Sequence, residues 1–216
     1  KVSPTTLNFR LVYWADVMYQ QPVVNDEEPY QQAEGTGPLK TYKDGWSDAL
    51  RATLSSVGGD ALDAAKRWFG IDTVADVVLQ AKLKDLARYY NEIKVRNELR
   101  KRLREAITAE KDKRLMVIAH SMGSIISYDV LREFGKENTP PTIDHFITIG
   151  SPLGLPHVKL KIFEEHQALR SPSIVRQWTN LADRRDPVAF DTHLGDDYEA
   201  NDRGVAVRDD LIINGY

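Results

Sequence analysis

The chain of 216 residues contains no cysteine. That excludes disulfides, a thiolate nucleophile and cysteine-ligated metal sites. It leaves the compartment open, because an oxidising compartment permits disulfides without requiring them. No apolar run approaches the roughly 20 residues of a membrane-spanning helix. Charge of one sign is also lacking. The formal net charge is −3, which gives no global attraction to nucleic acid or to an anionic membrane surface. Internal repeats and low-complexity tracts are absent. The opening "KVSPTTLNFRLVYW" has neither an initiator Met nor the apolar core of a signal peptide. It reads as an entry into the middle of a domain, and "LIINGY" at the other end reads as a second cut.

What is present is ordinary for a globular domain. Hydrophobic residues make up 42% and charged residues 28%, enough to bury one sizeable core. "LNFRLVYW", residues 7–14, places Leu7, Phe9, Leu11 and Tyr13 at period two and predicts a strand. A polar stretch from Gln20 to Lys43, with three prolines and two glycines, predicts a long loop. Short helical pieces follow to about Gln80, broken at Gly58-Gly59 and Gly70. The stripe of Leu83, Leu86, Tyr90, Ile93, Leu99, Leu103 and Ile107 predicts one long helix over about 81–110.

Beyond "EKDK" the pattern changes. "RLMVIA", residues 114–119, reads as a strand buried on both faces. Residues 123–134 read as a helix closed by Gly135, and strands are predicted over 143–149, 174–181 and 205–213. Strands separated by helices and long connections give an α/β fold with a mostly parallel sheet flanked by helices.

"AHSMG", residues 119–123, joins a buried strand directly to a helix. A G-x-S-x-G nucleophile turn needs this context. The tight turn lifts Ser121 past the C-terminal end of the sheet, where open α/β sheets bind ligands. Side chains two positions to either side would collide as strand and helix cross. Ala119 and Gly123 are small enough for the turn to close. Free N–H groups at the helix start, that of Met122 above all, can hold an oxyanion. The competing role for Ser121 is a simple helix N-cap.

"VIAHSMGSIISYDVLREF", "FITIGSPLGLP" and "WTNLADRRDPVA" resemble the serine α/β-hydrolases. The nearest group is the bacterial lipase/esterase-like enzymes related to the GPI inositol-deacylase-like serine esterases. The resemblance covers about residues 112–213 plus "VYWAD". It implies a single α/β-hydrolase domain over 1–216, with 35–95 as a helical cap or insertion. It also implies a catalytic triad in the order Ser, acid, His, and no cofactor or metal. Asp186, before Pro187-Val188, matches the acid position, and Asp183 is the alternative.

None of the five histidines fits the base position well. His120 belongs to the turn itself, His145 begins a strand at the far end of the sheet, and His157 and His166 follow "GSPLGLP". His193 comes only seven positions after Asp186 and is a minority candidate. The family pattern puts the base after the last strand, beyond Tyr216, and a second oxyanion donor before Lys1.

The expected activity is cleavage of a lipid-like or other carboxylic ester through an acyl-enzyme on Ser121. The alternative is a catalytically inactive binding module on the same fold. A third reading uses the basic helix of residues 82–114 to bind a polyanion through Arg96, Arg100 and Arg104. Oligomeric state is not set by the sequence.

Overall fold

The computed structural model describes residues 8–19, 84–183 and 193–212. Within them four short strands form one fully parallel sheet: β1 Leu115–His120, β2 Ile143–Ile149, β3 Trp178–Ala182 and β4 Val207–Leu211. Their order in space is their order in the chain. The helices are α1 Ala15–Met18, α2 over residues 84–91, α3 Ile93–Ala109, α4 Met122–Phe134 and α5 Pro156–His166. Single 3₁₀ turns occupy Pro152–Gly154 and Leu194–Asp196. The α/β class expected from the alternation of patterns is the one observed.

Register explains where the core sits. Val117, Phe146, Trp178 and Val207 are partners across all four strands. Phe146, Trp178 and Val207 are buried, and Val117 packs against the same cluster. Helix α4 lies within that cluster, and 10 of its 13 residues are buried. A helix buried on so much of its circumference is central rather than amphipathic. Leu99, Leu103 and Ile107 of α3 and Val158 and Ile162 of α5 complete the core. The other face of the sheet carries Met116, Ile118 and Ile147. Met116 and Ile118 remain 57% and 55% exposed.

Three expectations need correction. The first strand is not buried on both faces, since Met116 and Ile118 stand exposed opposite the helix-covered side. Residues 8–14 form no strand, and Phe9 and Leu11 are 82% and 85% exposed. A period-two pattern becomes a strand only where a neighbouring edge takes its hydrogen bonds. Among the described residues, the chain is drawn onto α3 instead. Arg102 donates to the Tyr13 carbonyl (3.1 Å) and to Asp16 (2.6 Å), and α1 follows. The long helix is also interrupted. Glu92 is extended (φ −101°, ψ 90°), so α2 and α3 are separate segments. The break lets α2 bury Leu86 and Tyr89 while α3 buries Leu99 and Leu103 along a different line. Ile93, which an unbroken stripe would bury, is 60% exposed.

Candidate active site

Ser121 stands between β1 and α4 with φ 51° and ψ −129°. A side chain rarely adopts such a backbone conformation, which costs about 1–3 kcal/mol. Gln167 is the other positive-φ residue outside glycine among the described residues, and it closes α5 in ordinary left-handed geometry. Ser121 holds its shape through its own backbone. Its N–H donates to the Ile149 carbonyl (3.0 Å), tying the turn to β2, and its carbonyl accepts from Ser124 N–H (2.9 Å). The hydroxyl makes no capping hydrogen bond. The N-cap role, which uses that oxygen as an acceptor from the first helical turn, is therefore not filled.

Met122 is the first residue of α4 and is buried. Its N–H has no acceptor within the helix, as holds for the first residues of any α-helix. Gly123 proves less essential to the turn than the crossing argument expects. A Cβ there would meet, among described atoms, only the Trp14 indole nitrogen at 3.9 Å, an ordinary contact distance. The positive φ of Ser121 makes the turn sharp.

Because all four strands are parallel, their C-terminal ends share one edge of the sheet. Ser121 follows β1, Gly150 follows β2 and Asp183 follows β3. Gly150 N–H donates to the Leu181 carbonyl (3.1 Å) and Ile212 N–H to that of Ala182 (2.9 Å), so the edge is knitted across three strands. Asp183 is half-buried at this edge. Asp186 lies outside the described residues.

The histidines disperse. His120 is exposed at the end of β1. His145 is hydrogen-bonded with Thr179 (2.9 Å) in the N-terminal half of β2, and burial lowers its pKa below the ordinary 6.5. His157 opens α5 with its ring edge-on to Tyr90, centroids 6.0 Å apart. Burial first, then Lys161, lowers its pKa against the opposing pull of Glu164. His166 is buried and donates to Asp129 (3.0 Å). His193 is exposed beside the second 3₁₀ turn.

Two polar networks were not foreseen. Thr148, Asn180 and Asp209 are register partners on the helix-covered face. Thr148 donates to Asn180 (2.9 Å), and Asn180 to Asp209 (2.9 Å). Asp209 also accepts from the N–H groups of Leu194 (3.0 Å) and Gly195 (2.8 Å), fixing the turn that precedes β4. Polar residues at inward positions of apolar strands were the available signal.

The second network centres on Arg100. It donates to Asp129 (2.7 Å), Glu133 (2.8 Å), Glu165 and the Tyr89 hydroxyl (2.8 Å). Tyr89 in turn donates to Asp129 (2.6 Å). The ligand atoms of Asp129, Glu165 and His166 lie within 4.8 Å of one another. The Arg100 guanidinium already supplies the positive charge a cation would bring there. Of the arginines named for polyanion binding, Arg100 is buried, and Arg104 is paired with Glu133 and Glu137.

The sequence model of the lecithin:cholesterol acyltransferase family matches residues 80–162. The matched stretch is less than half of the chain and runs from α2 through Ser121, α4 and β2 into α5. No curated protein and no solved structure matches. The match, with the parallel sheet and its flanking helices, supports a lipase-like α/β-hydrolase relationship at the level of the superfamily, and not the bacterial serine-esterase group in particular.

Proposed function

We propose that the protein is a serine hydrolase that cleaves a lipid-like ester through an acyl-enzyme on Ser121. The observation that carries the reading is the strained backbone of Ser121 at a strand-to-helix junction, with its hydroxyl unused as a cap. Strain of this kind persists where the surroundings enforce it, and it concentrates at active sites. The family match supports lipid-ester chemistry in general terms and covers Ser121 and Met122.

In the proposed reaction the Ser121 hydroxyl attacks the ester carbonyl carbon, and a histidine takes its proton. The tetrahedral oxyanion is held by the Met122 N–H and a second donor. Collapse expels the alcohol, which takes the proton back from the histidine. Water then attacks the acyl-enzyme by the same route and releases the acid. Asp186, or Asp183 in its place, orients the histidine. The family pattern puts that histidine after the strand corresponding to β4.

A fluorophosphonate probe tests the assignment on the full-length protein. The expected result is covalent labelling that disappears in Ser121→Ala, with ester hydrolysis falling about 10⁴-fold or more. Labelling that persists in Ser121→Ala would refute the assignment. No labelling of the wild type would favour a binding module on the same fold.

A further inference from the structure

The segment that leads into α1 is held by side chains from two helices. Arg102 of α3 donates to the Tyr13 carbonyl and to Asp16. Arg88 of α2 donates to the Met18 carbonyl, and Tyr19 donates to Asp85 (2.6 Å). Met18 is buried in the core. These contacts hold Trp14 against the start of α4. Its indole nitrogen lies 3.9 Å from the position a Cβ on Gly123 would take, two residues from Ser121. Trp14 is half-buried, packs on the core cluster, and its indole N–H has no hydrogen-bond partner among the described residues.

We infer that Trp14 is a specificity-determining residue of the site at Ser121, forming the wall against which the substrate's apolar chain lies. The inference rests on the proposed role of Ser121. A tryptophan serving only as filler would be as well replaced by phenylalanine. Trp14 instead brings a donor with no partner among the described residues to the start of the helix whose first N–H groups are also free of intrahelical partners. An indole offers a flat apolar surface and one N–H, with no acceptor. That combination matches an ester, with its alkyl chain on the ring and an oxygen at the N–H. It does not match a cationic or strongly hydrated substrate.

The test uses ethyl and dodecyl fluorophosphonates on the full-length wild type, Trp14→Phe and Trp14→Ala. Two quantities are read: the ratio of inactivation rates for the long and short probes, and the change in tryptophan emission on adduct formation. The inference expects the long-to-short ratio to change about fivefold or more in Trp14→Ala. It also expects an emission change in the wild type that is lost in Trp14→Phe. Should Trp14→Ala fail to fold, the emission comparison with Trp14→Phe decides alone. Ratios and emission changes equal to wild type in the variants, with Ser121 still labelled, would overturn the inference and leave the hydrolase reading intact. Absence of any labelling at Ser121 would remove both, so the two failures are distinguishable.

Discussion

At the scale of single residues, two glycines separate a packing requirement from a sequence habit. Gly195 has no room. A Cβ there would lie 2.9 Å from Asp209 Oδ2 and 3.1 Å from the Val207 carbonyl oxygen. Backbone on one side and a triply hydrogen-bonded carboxylate on the other leave little to yield. Gly195→Ala is expected to destabilise by about 1–3 kcal/mol, whereas Gly123→Ala is expected to cost under about 1 kcal/mol in helix α4. Urea denaturation of the two variants checks the contrast. Equal losses would show that Gly123 is crowded in solution. The motif around Ser121 was legible because a tight turn restricts residue types at fixed spacing. Strain at its central residue, Ser121, belongs to the same reading; what the letters did not reveal was that Gly123 has room for a Cβ. The roles of Asp209 and Arg100 were hidden for another reason. Each acts through partners 11 to 65 positions away, and a one-dimensional pattern does not carry pairings of that range.

At the scale of elements, Arg100 joins α3 to α4 and α5. Its own side chain and that of Asp129 are almost wholly buried. Arg100→Met would leave Asp129 and Glu165 without their cation, and a loss of about 3–5 kcal/mol is expected. The same pairing sets a pH dependence. The hydrogen bond from Arg100 holds the Glu165 carboxyl below its ordinary 4.5, against the opposing effect of burial. Its stabilising contribution is therefore complete above pH 4.5 and fades as the pH falls through the lower native value. The variant should behave oppositely. Burial without the guanidinium favours the protonated Glu165 carboxyl, so its stability should recover on acidification. Thermal melts between pH 6 and 3 distinguish the two. A wild type and variant that fall in parallel would contradict the assignment. Elements built on local periodicity, such as α4 and β2, were legible at nearly their observed bounds. The break at Glu92 was not, because helical spacing continues through it. What decides it is the need of α2 and α3 to bury different sides. The strand expected over 7–14 failed for a related reason, since a strand depends on a neighbouring edge as much as on its own alternation.

At the scale of the whole molecule, the described sheet is covered unequally. Helix α4 packs the face of Phe146 and Trp178, while Met116 and Ile118 stand largely exposed on the other. Parallel sheets are ordinarily buried on both sides. Exposure at this level predicts that Met116→Lys and Ile118→Lys each change stability by no more than about 0.5 kcal/mol. A loss above about 2 kcal/mol, read by urea denaturation, would mean that this face is covered in solution.

The coincidence of strand order with chain order has a consequence for how the protein is made. Neighbouring strands are joined by crossovers rather than hairpins, so every pairing closes a long loop, and such pairings form slowly. During synthesis, however, β1, β2, β3 and β4 leave the ribosome in the order in which they sit side by side. Among the described strands each new one meets an edge that is already complete, and none of the four must be inserted between two that have paired. The Ser121 turn needs only β1, α4 and the Ile149 carbonyl of β2. It can therefore take shape before β3 and the residues that follow it have been translated.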